Sequence, residues 1–277
     1  MKDAYRLENV LDKSLLKGAG EVLQNDKLEI DNRNRHHRSR INYYDRIDKI
    51  LSTIHRCVET GSSIHIGDFG CAQGNLALLL AESGFRVTAV DRNSDFISYA
   101  KCKYEFGRVN WICAGIEEME SEMEPESLHF AVVGELIEHC AYPEDILTRI
   151  AHFVRPNGYI MVTTPNGSSL YSKVPPFSLF KTRESRGVLQ SRQFGHSGSS
   201  HLFHFKLKDI ASITPSGFEI VEEGYLGGSI WIDLYLAWPF LLLPPTILQM
   251  FARGFCSIPI VNRLSCNNIY TLMVKRI

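Results

Sequence analysis

The stretch "IHIGDFGCAQGNLALLLAESGFRVTAVDRN", residues 64–93, decides the fold. Its apolar runs predict a strand that ends at Asp68, a helix that begins near Asn75, and a second strand that ends at Asp91. Glycines at 70 and 74 lie in the connection between the first strand and the helix. Glycines there allow the backbone to approach a ligand closely at the carboxyl edge of a sheet, where open α/β sheets bind ligands.

The same alternation continues along the chain. Short apolar runs at "VNWICA", "LHFAVVG" and "GYIMVTT" are separated by helical patterns such as "PEDILTRIAHFV", and the chain ends with the strand pattern "NNIYTLMVKRI". Strands that alternate with helices of about ten residues form parallel sheets with right-handed crossovers. We therefore expect an α/β fold with a doubly wound, mostly parallel sheet.

Two segments flank or interrupt this pattern. Residues 1–60 read as a polar, helical lid or cap, with five arginines between positions 33 and 46 that either face solvent or meet an anionic substrate. We expect residues 61–277 to form the main domain, with an apolar insertion at about 228–264 before the last strand. Three prolines interrupt its most apolar part, 230–251, which favours a buried helical hairpin over a membrane span. The alternatives are peripheral membrane contact or a wall for a greasy substrate.

Composition limits the classes of partner. A formal net charge of -1 provides no overall positive field for nucleic acid, so a small-molecule substrate is expected. Seven cysteines without a CxxC pair argue against a disulfide framework or a thiolate zinc site. The first ten residues lack the apolar core of a signal peptide, and we expect a cytoplasmic protein, with membrane association left open. The oligomeric state is not predicted.

The glycine-containing connection does not match the GxGxxG fingerprint of dinucleotide-binding proteins. "DFGCAQG" resembles instead the D/E-x-G-x-G-x-G motif of class I S-adenosylmethionine-dependent methyltransferases, with Ala72 in place of the middle glycine. "FAVVGELIEH", "RPNGYIMVTTPN" and "HLFHFKLKDIASITPSGFEIVEEG" are similar to later landmarks of the ubiquinone-type O-methyltransferase subgroup. The resemblance implies a seven-stranded, Rossmann-like methyltransferase fold that binds S-adenosylmethionine.

The resemblance also implies a set of cofactor-binding residues. Asp68 and Gly70 would flank the methionine portion, Gly74 would permit the turn, and Asp91 would accept hydrogen bonds from the ribose. Cys71 and Arg92 would lie beside them. Gly115 stands where the family often has an acid that contacts adenine, so Ile116 and Glu117 would frame the base. A dehydrogenase, or a module that binds the cofactor without turnover, is the alternative.

The stretch "GELIEHC", residues 134–140, follows the fourth predicted strand. If a helix starts here, Glu135, Glu138 and His139 share one face. The acids could simply complement the helix dipole, His139 could act as a general base with Glu135 beside it, or the set could bind a divalent metal such as Mg²⁺ or Mn²⁺.

E-x-x-E-H resembles the metal-binding arrangement of ubiquinone-pathway O-methyltransferases and of small-RNA 2'-O-methyltransferases. By this resemblance Glu135, Glu138, His139 and His201 would be the ligands, with His204 the fallback for His201.

The predicted reaction is methyl transfer to a hydroxyl of a hydrophobic small molecule or lipid-like precursor. The apolar segment 230–251 favours such an acceptor, because its tail would bury apolar surface there. The runner-up is 2'-O-methylation of RNA ends, which the metal motif and the arginine-rich segment favour. The neutral chain lacks the aromatic-interleaved basic strip of single-strand binders, so nucleic acid is not the expected partner.

Overall fold

The computed structural model describes residues 38–103, 108–170, 172–180, 182–194, 201–227, 247, 250, 254 and 258–276. Most of the predicted N-terminal cap and nearly all of the apolar segment 230–251 therefore lie outside the described residues. In the described part of the chain, no helix combines the length and apolar character needed to cross a bilayer.

Seven strands form one sheet in the order β3-β2-β1-β4-β5-β7-β6. Their bounds are β1 His65–Phe69, β2 Arg86–Asp91, β3 Arg108–Cys113, β4 Leu128–Gly134, β5 Val154–Pro165, β6 Phe218–Leu226 and β7 Asn268–Lys275. Strands β1 to β5 run parallel, and β7 is antiparallel to both β5 and β6. The predicted seven-stranded, mostly parallel sheet is confirmed.

Seven α-helices accompany the strands in the described residues. They are α1 Arg38–Cys57, α2 Asn75–Glu82, α3 Ser94–Cys102, α4 Pro143–Phe153, α5 Arg183–Gly187, α6 Leu207–Ser212 and α7 Pro259–Ser265. Short 3₁₀ helices cover Ile116–Ser121, Ile137–His139, Phe177–Leu179 and Gln190–Arg192.

Two hydrophobic clusters cover the two faces of the sheet. On one face Val132 packs with α1 and α2. On the opposite face its neighbour Val133 packs with α4 and α6. This alternation is expected of a strand that is buried on both sides. Both faces of the sheet are thus covered in the described part of the chain, and in such sheets ligands bind at the carboxyl ends of the strands.

Helix α1 lies against the first of these faces. Its buried residues Tyr43, Ile47, Ile50 and Ile54 recur every three or four positions and form one apolar stripe. Lys49 Nζ donates to Glu222 Oε1 at 2.6 Å, which joins α1 to β6. The described part of the predicted N-terminal cap is therefore packed on the domain along most of its length.

The segment that follows β5 is fixed to the first turn of α4. Arg183 forms hydrogen bonds with both oxygens of Asp145 at 2.8 and 2.7 Å, and the buried Arg186 binds both oxygens of Glu144 at 2.6 and 2.9 Å. Bidentate arginine–carboxylate pairs fix orientation as well as distance. Residues 182–194 are thereby held beside the carboxyl edge of the sheet.

Gly74 is the tightest point of the connection between β1 and α2. Its backbone lies in the left-handed region at φ +78°, and a Cβ atom there would lie 2.5 Å from the Trp111 ring and 2.8 Å from Ala100 Cβ. Both the backbone angle and the close approach of β3 and α3 therefore require glycine.

We predict that Gly74→Ala destabilises the protein by about 2–4 kcal/mol, the sum of left-handed strain and overpacking. The matched control is Gly217→Ala, because Gly217 has φ +80° but no atom within 4 Å of the added Cβ. Chemical denaturation of both variants measures the difference. Equal losses in the two variants would contradict the packing argument.

Candidate active site

The turn after β1 is built from left-handed backbone. Gly70, Ala72 and Gly74 have φ values of +76°, +45° and +78°. Gly70 and Cys71 donate their backbone N–H groups to the Val90 carbonyl at 2.8 and 3.0 Å, which ties the turn to β2. Ala72 adopts a conformation that favours glycine, and this explains in physical terms why a glycine is usual at that position.

Asp91 closes the other side of this turn. Its Oδ2 accepts a hydrogen bond from the Ala72 backbone N–H at 2.9 Å, and its Oδ1 accepts one from Asn93 N–H at 2.8 Å. Burial raises the pKa of Asp91, and the two N–H donors oppose that rise. Each carboxylate oxygen keeps a lone pair, so the group can accept further hydrogen bonds from a pair of hydroxyls.

Asp68 lies beneath the same turn and is 4% exposed. Burial raises its pKa to about 7, against the opposing charge of Arg46 and a hydrogen bond with the Ala77 backbone. Its buried Oδ2 has no hydrogen-bond partner among the described residues. A buried carboxylate oxygen of this kind is normally satisfied by a donor, so a bound cationic or N–H group fits here.

The other predicted cofactor residues surround the turn in different ways. Cys71 is buried, with its Sγ 3.8 Å from the Ala72 carbonyl. Arg92 is exposed and holds its guanidinium 4.6 Å from the centre of the Phe194 ring. Ile116 packs into the core, whereas Glu117 is exposed. Of these four residues, Arg92 and Glu117 are exposed, whereas Cys71 and Ile116 are buried.

The "GELIEHC" stretch does not start a regular α-helix. Strand β4 ends at Gly134, Glu135 has φ +52°, and only Ile137–His139 forms a 3₁₀ helix. The expected i, i+3, i+4 arrangement on one helix face is therefore not how these side chains are placed. Glu135 N–H donates to the Thr163 carbonyl at 2.9 Å, which extends the β4–β5 pairing through this strained residue.

The Glu135 side chain is held by residues that are remote in sequence. Asn268 Nδ2 donates to its Oε2 at 2.8 Å, and the Arg46 guanidinium lies 3.4 Å from its Oε1. Strand β7 and helix α1 thus supply the partners of a residue on β4. The carboxylate is oriented by these contacts.

Glu138 is completely buried. Thr164 Oγ1 donates to its Oε2 at 3.0 Å, and its Oε1 has no hydrogen-bond partner in the described structure. Burial raises the pKa of this carboxyl well above its ordinary value, and the nearby Glu135 charge adds to the rise. A buried acid with an unsatisfied oxygen fits a bound cation or a proton.

Glu138, His139 and His201 form a potential metal-binding set. One ligand atom from each lies within 4.8 Å of the others. The His139 and His201 rings meet edge-on with centroids 4.9 Å apart, and Leu202 N–H donates to the Glu138 carbonyl at 2.8 Å. The structure thus brings three of the four predicted ligands together. Glu135 lies outside this set, and His204 is bonded to His201 instead.

Several site residues have no counterpart in the motifs. Arg46 lies three residues after Tyr43 and four before Ile50, so the helical spacing of buried residues could have placed it on the packed face of α1. Asn268 and Gln193 carry no such signal. Gln193 Oε1 accepts a hydrogen bond from Ala141 N–H at 2.7 Å, and only the folded chain brings them together.

Curated relatives are similar in sequence to part of this chain. The chain is 32% identical over 130 residues to a ubiquinone biosynthesis O-methyltransferase of Rickettsia prowazekii, an alignment that covers 46% of this chain and 50% of that protein. A ubiquinone biosynthesis O-methyltransferase of Photobacterium profundum is 30% identical over 101 residues, an alignment that covers 36% of this chain and 43% of that protein. The chain therefore spans about half the length of the curated relatives it matches.

Solved structures share the fold. A S-adenosylmethionine dependent methyltransferase from Mesorhizobium loti superposes with a TM-score of 0.55 at 12% identity, covering 83% of this chain and all of that one. Phosphoethanolamine N-methyltransferase 2 of Haemonchus contortus, in complex with S-adenosyl-L-methionine, superposes with a TM-score of 0.52 at 17% identity. The superposition covers 83% of this chain and 52% of that one. The [4+2]-cyclase SpnF also superposes with a TM-score of 0.52, at 12% identity, covering 83% of this chain and 81% of that one. At these identities the likeness concerns the fold alone.

The methyltransferase-domain family matches residues 38–223, from the start of α1 into β6. This range contains the β1 turn, Asp91 and the Glu138, His139, His201 set. The match includes most of the chain. The protein belongs to the methyltransferase-domain family, as its resemblance to class I S-adenosylmethionine-dependent methyltransferases implied.

Proposed function

We propose that this protein transfers a methyl group from S-adenosylmethionine to a hydroxyl of a hydrophobic small molecule or lipid-like precursor, assisted by a divalent metal. The observation that carries the proposal is the meeting of Glu138 and His139, on the loop after β4, with His201 of the segment 201–205. The loop after β4 lies next to the loops after β1 and β2, because β1 pairs with both β2 and β4. A methyl donor and an acceptor hydroxyl would meet at this edge.

The chain's own residues fit the methyl donor. The Asp91 carboxylate would accept hydrogen bonds from both ribose hydroxyls with the lone pairs that its backbone donors leave free. The unsatisfied Asp68 Oδ2 would accept from the ammonium of the methionine portion, beside the left-handed backbone of Gly70. S-adenosylmethionine supplies an electrophilic methyl on sulfur, so that an oxygen–carbon bond forms as the carbon–sulfur bond breaks.

The ligand set fits a hard or borderline divalent cation. Glu138 contributes a carboxylate oxygen, which suits Mg²⁺ or Mn²⁺, and the two histidines contribute imidazole nitrogens, which favour Mn²⁺ or a related transition-metal ion over Mg²⁺. When bound, such a cation supplies the positive charge that lowers the pKa of an acceptor hydroxyl. Glu135, oriented by Arg46 and Asn268, would position the acceptor or a coordinated water beside this set.

His139 could instead act alone as a general base. In that mechanism its imidazole takes the proton of the acceptor hydroxyl while the oxygen attacks the methyl group. The buried, unsatisfied Glu138 Oε1 favours the metal version, because a lone base leaves that oxygen without a partner.

A hydrophobic acceptor is supported by apolar side chains near this edge. Leu170 and Ile260 are both 74% exposed, and the Leu170 N–H donates to the Leu264 carbonyl on α7. Helix α7 leads directly into Asn268, the residue that holds Glu135. The apolar segment 230–251 precedes α7 in the sequence. Together with Leu170 and Ile260 it would contact the acceptor's tail or a membrane surface.

A cytoplasmic location is part of the proposal. All six cysteines in the described part of the chain are free thiols, which suits a reducing compartment.

Asp91→Ala should weaken S-adenosylmethionine binding about 100-fold, because one or two charge-assisted hydrogen bonds of about 1.5–3 kcal/mol each are lost. Calorimetric titration measures the change. Asp95→Ala is the matched control, since this carboxylate is exposed four residues further along the chain. Wild-type affinity in Asp91→Ala would contradict the assignment of the ribose site.

Glu138→Gln should lower the affinity for Mn²⁺ at least about tenfold and remove any dependence of methyl transfer on the metal. The amide can still accept from Thr164 and removes a buried charge, so the melting temperature should not fall. Titration with Mn²⁺ and thermal unfolding test the two effects, with the exposed Glu120→Gln as control. Unchanged methyl transfer by Glu138→Ala in the presence of a chelator would refute the metal mechanism.

A hydrophobic or lipid-like acceptor predicts that the protein binds lipid vesicles. We expect it to sediment with phosphatidylcholine vesicles at both about 0.1 M and about 0.5 M salt, because apolar contacts are not screened. Leu170→Asp with Ile260→Asp should reduce sedimentation, whereas Val188→Asp, at an equally exposed residue, should not. Salt-sensitive retention of single-stranded RNA without vesicle binding would favour the RNA alternative instead.

A further inference from the structure

A chain of hydrogen bonds runs away from the metal-binding set. His201 Nδ1 lies 3.1 Å from His204 Nε2, and His204 Nδ1 lies 2.7 Å from Ser172 Oγ. Ser172 Oγ in turn donates to the Val174 carbonyl at 3.1 Å. The chain therefore links His201 to a backbone carbonyl through two side chains.

The donors and acceptors in this chain fix its direction. A carbonyl oxygen can only accept, and the serine hydroxyl has one hydrogen, which goes to Val174. Ser172 Oγ must then accept the Nδ1–H of His204, which leaves His204 Nε2 as an acceptor. His201 therefore donates from Nδ1, and its Nε2 carries a lone pair.

The reverse direction fits the structure less well. If Ser172 donated to His204, the Val174 carbonyl would lose this hydrogen bond, and His201 would carry its hydrogen on Nε2. Since Nδ1 is engaged by His204, Nε2 is the nitrogen that remains to meet Glu138 and His139. Glu138 Oε1 has no partner within hydrogen-bond distance among the described residues, so an Nε2–H on His201 would gain no hydrogen bond from this oxygen.

The backbone holds this chain in place on both sides. His204 N–H donates to the Pro175 carbonyl at 3.1 Å, and Phe177 N–H donates to the His204 carbonyl at 2.9 Å. A Cβ atom on Gly167 would lie 2.9 Å from the His204 carbonyl oxygen, so the backbone after β5 passes directly against the segment 201–205. The two histidines and the serine are thus fixed on neighbouring, hydrogen-bonded segments.

We propose that Ser172 and His204 are positioning residues that fix the tautomer of His201, so that its Nε2 lone pair faces Glu138 and His139 before any metal binds. The tautomer of a ligating imidazole is set by the hydrogen bond at its other nitrogen. The benefit of this relay rests on the proposed metal site. The tautomer itself is a property of the metal-free protein.

The first test is the tautomeric state of the imidazoles in the metal-free protein. With ¹⁵N-labelled histidine, long-range ¹H–¹⁵N correlation spectra at mildly alkaline pH should show Nδ1–H and a bare Nε2 for both His201 and His204. Ser172→Ala should convert His204, and with it His201, to a mixture of tautomers. Ser172→Thr retains the hydroxyl and should restore the wild-type pattern.

The second test is the affinity for Mn²⁺ alone, measured by calorimetry. His204→Phe removes the acceptor for His201 Nδ1 and should raise the dissociation constant about 10- to 100-fold, and Ser172→Ala about tenfold. His204→Gln, whose amide oxygen can accept from His201, should recover part of this loss. His152→Phe, which replaces an exposed imidazole on α4, should bind as the wild type does.

The two proposals fail in different ways. Nε2–H on His201 in the metal-free wild type would overturn the relay, whatever the protein does with Mn²⁺. Tautomers that are unchanged in Ser172→Ala and His204→Phe would also overturn it. The expected tautomers in a wild type that does not bind Mn²⁺ would support the relay and refute the proposed metal.

Discussion

Strands β2, β1, β4 and β5 pair in parallel, and this register is the constraint on which the site depends. Phe69 at the end of β1 pairs with Val90 on one side and with Val133 on the other. Because parallel strands end at the same edge, the residues that follow them leave the sheet at one level. The β1 turn, Asp91 and the "GELIEHC" stretch therefore lie together at one edge of the sheet, although they are far apart in sequence.

Strain and buried charge concentrate at that edge. Ala72 and Glu135 have left-handed backbone, and Asp68 and Glu138 are acids buried with one oxygen unsatisfied in the described structure. These features are unfavourable in isolation and persist only where the surroundings fix them, which is characteristic of binding and catalytic sites. Helices and strands that are distant in sequence supply the partners. Asp91 accepts from the Ala72 N–H, and Thr164 of β5 donates to Glu138. Arg46 of α1 and Asn268 of β7 bind Glu135.

The antiparallel strand β7 has a particular part in this arrangement. Its pairing with β5 places Asn268 opposite Pro165, which brings the last strand of the chain to the edge where Glu135 emerges. The segment 201–205 passes on the other side and carries His201 to Glu138 and His139 through the Leu202–Glu138 hydrogen bond. The potential metal-binding set thus depends on two segments that follow the central parallel strands, and the relay through His204 and Ser172 extends it into the loop after β5.

The sequence by itself determined the parallel sheet, the glycine turn, the acid at the end of β2 and the likeness to class I methyltransferases. These features are local: strand and helix periods, left-handed turns and strand ends follow from nearby residues. Tertiary structure alone decided that Glu135 leaves the local helix pattern, that Arg46 faces the acids, and that Asn268, Gln193 and the Ser172–His204–His201 chain converge on the site. Such contacts join residues up to 133 positions apart. Their geometry is set by how the layers pack, which no local pattern of residues specifies.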